Sequence, residues 1–394
     1  MPARQERVLL YVLAAIQFTH IFDFMIVMPL GPRLMDIFRI TPTQFGLIVS
    51  SYTFSAGLFG LVAAWFIDRL DRKRALLWLY AGFGVGTLAC ALAPNFHFLV
   101  AARFLAGGFG GVTSATILAV IGDAIPPQRR GEAMGTLFSS FSLASIAGVP
   151  AGLFLANHLG WHAPFYLLAA LSAGISVMAS RALPSMRGHL ARGKKRPWAD
   201  MMAVLGQGNH WLAFGLTVVM TMAGFMIIPY LSPSLVANVG VSNHHLPLIY
   251  LFGGAATFFS MRVIGKLSDR IGLLRVFTVV SIIAMLPILV ISHLPQVPLW
   301  MALVTSTCFM VFTSGRFIPG MAMVTNSVET QHRGSFMSLN SALQQFASGF
   351  ASLLGGAIIA TGADGRLEHY GTVGIIGACC ILVSLVLARN LKSA

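Results

Sequence analysis

The chain has 394 residues, of which 56% are hydrophobic and only 10% charged, with a mean hydropathy of +0.79. A soluble domain carries about 25% charge, so a chain this apolar needs lipid as its solvent. The formal net charge of +14 does not mark a nucleic-acid binder. Such a footprint gathers on one face of a soluble fold, whereas these cations stand in short clusters between apolar runs.

The opening segment MPARQER is short and basic and leads into an apolar run that continues past Leu30. That run is longer than a signal-peptide core and has no cleavage pattern, so it is expected to remain as a first transmembrane helix. A spanning helix needs roughly 20 mostly apolar residues. Twelve such runs lie at about 8–31, 44–67, 74–93, 97–121, 132–156, 161–183, 209–236, 246–267, 274–294, 297–325, 334–361 and 370–391. The expected class is therefore an all-α membrane protein of twelve transmembrane helices.

Lysine and arginine orient it. With both termini in the cytoplasm, the even-numbered loops, the tails and the adjoining span ends hold 20 of the 26 cations. The opposite loops hold Arg33, Arg39 and Arg366, and Arg103, Arg262 and Arg316 lie within spans. This is the positive-inside asymmetry, and it accounts for most of the net charge. The longest internal connection, 184–208, contains RGHLARGKKRPW. It reads as a solvated linker near anionic lipid and divides the chain into bundles at 1–183 and 209–394.

The two halves repeat. FMIVMPLGPRL (24–34) aligns with FMIIPYLSPSL (225–235) at an offset of 201, and Asp68-Arg69 aligns with Asp269-Arg270 at the same offset. Arg130-Gly131 aligns with Arg333-Gly334, and Gly152 with Gly355, both at 203. Two pseudo-symmetric six-helix bundles are the parallel-repeat plan of secondary transporters, with the substrate site near the midplane. The repeat is also a control. Asp23 aligns with Gly224 and Arg103 with Val304, and offsets of 201–203 from Arg316 reach only Ala115, Ser114 and Thr113. These three charges belong to one half each and are candidates for function rather than scaffold.

Between spans 2 and 3 stands AWFIDRLDRKRALL (64–77), and its copy is GKLSDRIGLLRVF (265–277). Both resemble the Gly-x-x-x-Asp-Arg-x-Gly-Arg-Lys signature of the major facilitator superfamily. The second copy keeps Gly265 and Gly272, where the first has Ala64 and Asp71. ARFLAGGFGG (102–111) resembles the family's Arg-x-x-x-Gly motif. GVPAGLFLANHLGWHAPF (148–165) resembles the antiporter motif in the form seen in arabinose-efflux-permease-like members of the drug:proton antiporter branch. The resemblance implies a major facilitator fold and proton-coupled export of a small organic molecule across the inner membrane. It implies a gating latch of Asp68, Arg72 and Asp123 at the cytoplasmic mouth, repeated at Asp269 and Arg270. The competing reading of those charges is topology alone. It also implies that Gly148, Pro150 and Gly152 make a bent, close-packed helix tied to exchange, against a purely structural kink.

Charge inside a bilayer costs about 2.5–3.5 kcal/mol at a helix centre on insertion scales, so such residues face a cavity or a partner. Asp23 is read as the proton-carrying carboxyl. His20, one turn earlier and able to touch it, is the modulator or relay, and Arg103 is the third member. The competing reading is a static Asp23–Arg103 pair. Candidate substrate contacts are Gln17, Phe24, Arg316, Asn340 and Gln344; Asn340 and Gln344 share a face at i, i+4, and the competing reading is that they bond neighbouring helices. Arg262 reads as structural.

Cys90, Cys308, Cys379 and Cys380 all lie in apolar runs and read as small buried side chains. His158 and His162 have a metal-like spacing that no Cys or carboxylate joins, so no metal is expected. No cofactor is implied either, since there is no GxxxxGK[ST] loop and no catalytic constellation. The expected partners are a small-molecule substrate, protons and the bilayer, with the chain acting as a monomer. The rival readings are a proton symporter or uniporter importing a nutrient or siderophore, and, from another class, a membrane receptor or membrane-bound enzyme. The orientation is testable. A C-terminal fluorescent-protein fusion is expected to fluoresce and a C-terminal alkaline phosphatase fusion to be inactive; the opposite pattern would invert the topology.

Overall fold

In hydrocarbon a backbone N–H or C=O finds no water, so a spanning segment must satisfy itself as a helix. The structure, a computed structural model, describes residues 3–63, 67, 70–126, 129–184, 186, 197–329 and 332–392. Among the described residues, eleven helical stretches are long and apolar enough to cross a membrane. The remaining expected span is also a helix, of 26 residues, and carries Ser338, Asn340, Gln344 and Gln345. Side chains such as Trp78, Phe259 and Leu286 stand outward, as suits a lipid solvent and not water.

The chain divides into two compact units. Unit 1 comprises Met1–Val27 and Ser51–Arg196, and unit 2 comprises Met28–Ser50 and Pro197–Ala394. The division falls within the chain's first helices: α1 (Ala3–Ile26), α2 (Gly31–Phe38) and α3 (Pro42–Ala63). Unit 1 continues with α4 (Arg72–Ala91), α5 (Phe96–Ala124), α6 (Arg130–Leu143), a π-helical turn (Ala144–Gly148), α7 (Val149–Leu159) and α8 (Ala163–Ala182). Within it α1 packs on α6 and α8, and α4 on α5 and α8. Leu13, Ile16, Leu76, Phe83, Ile117 and Val120 lie in its core.

Unit 2 continues with α9 (Pro197–Leu205), α10 (Gly208–Phe225), α11 (Ile228–Ala237), α12 (Leu246–Ile271), α13 (Leu273–Ser292), α14 (Leu299–Gly315), α15 (Phe317–Asn326), α16 (Arg333–Ile358) and α17 (Tyr370–Asn390). The pairings of unit 1 recur: α10 packs on α16 and α17, and α13 on α14 and α17. Also in unit 2, the Tyr230 hydroxyl donates to the carbonyl of Ser352 (2.6 Å) and lies 3.3 Å from that of Pro42, and Thr43 donates to that of Gly356 (2.8 Å). Glycine permits this approach: a Cβ on Gly356 would come within 2.6 Å of the Pro42 carbonyl oxygen.

Three of the expected spans are interrupted by turn residues, and the fifth passes through a π turn. Prolines explain the breaks, because each lacks an N–H and crowds the carbonyl four residues back. Pro32, Pro150 and Pro229 each stand at the start of a following helix segment. Pro319 lies four residues after Gly315, where α14 ends. Two elements were not foreseen. Helix α9 occupies part of the expected linker, whose residues 185 and 187–196 lie outside the described set. A two-residue hairpin, β1 (Ala360–Thr361) with β2 (Leu367–Glu368), precedes α17. Its cause is Asn238, whose side-chain amide bonds both the N–H (2.7 Å) and the C=O (2.9 Å) of Leu367.

In unit 1, α5 meets α3 through glycines. A Cβ on Gly107 would lie 2.7 Å from the Tyr52 Cα, and one on Gly111 2.7 Å from the Ala56 Cα, while Gly122 has open space. Gly107→Ala and Gly111→Ala are expected to destabilise by about 1–3 kcal/mol through overpacking. Gly122→Ala is expected to be neutral or stabilising by up to about 1 kcal/mol through helix propensity. Thermal midpoints in detergent would rank the three.

Candidate functional site

The expected charges of unit 1 meet at one place. Asp23, three residues before the end of α1, is fully buried, as is Arg103 on α5. Arg103 Nη1 lies 2.6 Å from Asp23 Oδ2 and 3.3 Å from the Asp23 carbonyl oxygen. Thr87 of α4 donates to Asp23 Oδ1 at 3.2 Å. The guanidinium sits 4.2 Å over the Tyr52 ring, a cation–π contact. Phe24 packs against the Tyr52 ring, 5.5 Å between ring centroids. Three helices thus hold the carboxylate, and an aromatic face supports its counter-ion.

His20 does not bond Asp23, and the expected contact one turn along α1 is corrected. Its Nδ1 is 3.1 Å from the Ser114 hydroxyl, which in turn donates to Gln17 Oε1 at 3.1 Å. A hydroxyl has one hydrogen to give. If it goes to Gln17, then Nδ1 carries the imidazole proton and Nε2 is left as an acceptor. That Nε2 and the Tyr52 hydroxyl are both buried and have no hydrogen-bond partner among the described residues. Both face Gly110, at 2.7 and 2.9 Å from where its Cβ would be. Thr19 likewise turns away from Asp23, bonding the Ile16 carbonyl and the Tyr80 hydroxyl.

The motif glycines of the fifth span touch the same helix. A Cβ on Gly148 would lie 3.1 Å from the Phe22 ring, and one on Gly152 2.8 Å from it. Phe22 is the neighbour of Asp23 in α1, so these glycines pack against the stretch of helix that carries the carboxylate. The π turn just before Pro150 belongs to a class of helix defect common at functional sites.

The latch residues divide. Arg72 Nε lies 3.2 Å from Asp123 Oδ2, while Asp68 lies outside the described residues. In the second copy Asp269 and Arg270 are exposed and make no ion pair among the described residues. The two copies also turn differently. Gly272 has φ +97, a conformation that favours glycine; Asp71, in the corresponding place, has φ −58 and caps α4 through the Lys73 N–H at 2.9 Å. Both residues are N-caps of the helix that follows, and the missing glycine is thus a change from a positive-φ cap without a side-chain bond to a side-chain cap.

In unit 2, Arg316 is fully buried at the α14–α15 break, and its Nη2 donates to the Met220 carbonyl of α10 at 2.6 Å. Asn340 is buried and accepts from Thr217 of α10 at 2.7 Å. Gln344 is half-buried, and its side chain makes no hydrogen bond among the described residues. The i, i+4 face of Asn340 and Gln344 therefore divides: one residue bonds a neighbouring helix and the other does not. Arg262 lies over the Phe258 ring at 4.0 Å. Sequence reasoning missed Thr87, Tyr52 and Ser114, whose only signal was a polar side chain in an apolar span.

A family profile described as Major Facilitator Superfamily matches residues 13–311 and 213–393. The uncharacterized transporter YceJ of Bacillus subtilis (strain 168) is 26% identical over 377 residues, covering 94% of this chain and 93% of its own. A chloramphenicol resistance protein of Streptomyces lividans is 25% identical over 241 residues, covering 61% and 62%. The crystal structure of a bacterial homolog to the human lysosomal transporter Spinster superposes with a TM-score of 0.74 at 16% identity, covering 99% of this chain and 95% of its own.

Removing one partner of a buried ion pair leaves an uncompensated charge and costs about 3–5 kcal/mol. Asp23→Asn and Arg103→Met are each expected to lower the thermal midpoint in detergent. The double variant is expected to recover part of the loss. Additive losses would mean the two groups do not interact energetically.

Proposed function

Because the chain belongs to the Major Facilitator Superfamily, we propose that it is a proton-coupled antiporter of the drug:proton branch, of the arabinose-efflux-permease-like kind. It exports a small organic molecule across the cytoplasmic (inner) membrane by alternating access. It works as a monomer with both termini inside, its halves 1–183 and 209–394 joined by the linker 184–208. The observation that carries this reading is the Asp23 carboxylate, buried against Arg103 and Thr87 at a place where the duplicate half has Gly224. A fold that manages with glycine in one half does not need a carboxylate in the other.

The chemistry follows from the contacts. A charged Asp23 holds Arg103, and a proton on Asp23 removes the charge that holds it. The pair therefore has two states that differ by one proton, and a change of hydration as the protein opens to one side or the other shifts the balance between them. His20 Nε2, an acceptor without a partner among the described residues, serves as relay. A membrane potential of 100 mV contributes roughly 2.3 kcal/mol per proton carried. Gln17, Phe24, Arg316, Asn340 and Gln344 are the substrate contacts of this reading. The Arg72–Asp123 pair, with Asp68, acts as a latch with two discrete arrangements; Asp269 and Arg270 are its second-half counterparts. Gly148, Pro150 and Gly152 keep the exchange tight. The relative named for chloramphenicol resistance supports export as the direction.

The test uses everted membrane vesicles with an acidic interior and radiolabelled chloramphenicol, followed by a panel of nucleosides, sugars and amino-acid derivatives. Accumulation of one of these is expected, with collapse on adding a protonophore. Asp23→Asn is expected to abolish accumulation while keeping gradient-free exchange of the same substrate. Accumulation only under the opposite gradient would mark a symporter. Unchanged coupling in Asp23→Asn would remove the carboxylate from the mechanism.

A further inference from the structure

The repeat sets the two units side by side as an experiment. In unit 1, an arginine on the fourth span meets a carboxylate on the first, Arg103 with Asp23. In unit 2, an arginine on the corresponding span, Arg316, meets the corresponding helix α10 and finds no carboxylate there. It bonds a main-chain carbonyl at Met220, and its Nε and Nη1 have no hydrogen-bond partner among the described residues. The residue aligned with Asp23 is Gly224. Unit 2 thus has a buried cation between the corresponding helices but no anion beside it, and Arg316 stands about three turns along its span from Val304, the residue aligned with Arg103.

An isolated buried guanidinium is expensive, and an unpaired one more so than a paired one. Its surroundings share the same deficit. The Asn340 Nδ2 donor, on the amide that Thr217 bonds, also has no partner among the described residues, and neither does the Thr313 hydroxyl. Thr217 and Met220 are one turn apart on α10, and Thr313 lies one turn before Arg316 with its methyl group toward Gly224, 3.4 Å from where a Cβ there would be. Two of these unsatisfied groups can only donate, and the third can donate as well. The break at Pro319 adds the start of α15 next to Arg316, an end that also favours negative charge.

We propose that unit 2 holds a carboxylate-recognition site built on Arg316, with Asn340 and Thr313 as further donors, in which the anionic group of the transported molecule plays the part that Asp23 plays for Arg103. The substrate class is therefore an organic acid with one carboxylate on an apolar body. A planar guanidinium matches a carboxylate through paired N–H donors, and Arg316 has Nε and Nη1 unengaged. This rests on the reading of the chain as a small-molecule transporter. Its test is a binding measurement that needs no gradient, so it fails separately from the proton-exchange assay.

The experiment compares organic acids with their neutral amides: benzoate with benzamide, isobutyrate with isobutyramide, and phenylacetate with phenylacetamide, on purified protein in detergent at constant ionic strength. At least one acid is expected to raise the wild-type thermal midpoint by about 2 °C or more, and its amide to leave it unchanged. Arg316→Gln and Arg316→Met are expected to lose that difference, and Arg316→Lys to keep part of it. Should the neutral variants fold poorly, Gly224→Asp gives an independent answer. It puts a carboxylate at the aligned position, where a Cβ meets only ordinary contacts at 3.4 and 3.5 Å. It is expected to raise the midpoint without ligand and to abolish the response to acids. No acid-over-amide difference in wild type, a difference that survives in Arg316→Gln, or a Gly224→Asp protein that still responds to acids would each overturn the proposal.

Discussion

A charge taken out of water must find an opposite charge or a dense set of dipoles, and in this chain that requirement decides which side chains sit together. Asp23 and Arg103 are both fully buried and 2.6 Å apart, and their neighbours are arranged to serve them. Thr87 supplies a hydroxyl to the carboxylate and Tyr52 an aromatic face to the guanidinium. Tyr52 in turn can lie where it does because Gly107 leaves room for its backbone. The glycines of span 4 are thus tied to the charge pair through the helix they admit. The same requirement bears on each of the four charges within the spans, Asp23, Arg103, Arg262 and Arg316.

The architecture was largely legible in the sequence, because a spanning helix needs only length and apolarity and both are local properties. The positions of the helices follow the apolar runs closely, from Pro42–Ala63 to Tyr370–Asn390. What was not legible depends on three-dimensional neighbours. His20 and Asp23 share a helix face, yet the imidazole bonds Ser114 on another helix, and no spacing rule along α1 could foretell that. Asp71 looked like a defect in a glycine motif, whereas its φ of −58 and its bond to Lys73 make it a helix cap. The broken helices were written in the prolines, but where each break falls depends on which carbonyl the ring crowds. In the candidate site, Asp23, Arg103 and Arg316 could be singled out by comparing the halves. Thr87 and Tyr52 could not, since a hydroxyl in a membrane helix is common and bonds its own backbone as readily as a partner.

The two units repeat their helix pairings but not their electrostatics. Unit 1 pairs its buried Arg103 with a carboxylate, whereas the buried Arg316 of unit 2 bonds only a main-chain carbonyl, and its Nε and Nη1 have no acceptor among the described residues. Duplication supplies a pair of identical frames. At one place the frames differ in charge: Gly224 stands where the other half has Asp23.

The π turn at Ala144–Gly148 has a consequence for the helical phase of the fifth span. Eight residues of regular α-helix advance by about 800°, which leaves residue 148 about 80° out of line with residue 140. The wider turn advances less per residue and cancels most of that drift. Ser140, which donates to the Ala14 carbonyl, and Gly148 and Gly152, which admit Phe22, therefore all point at α1. Deleting one residue from this turn would rotate α6 as a body about its own axis, unhooking Ser140 from Ala14 while leaving the two glycines packed against Phe22.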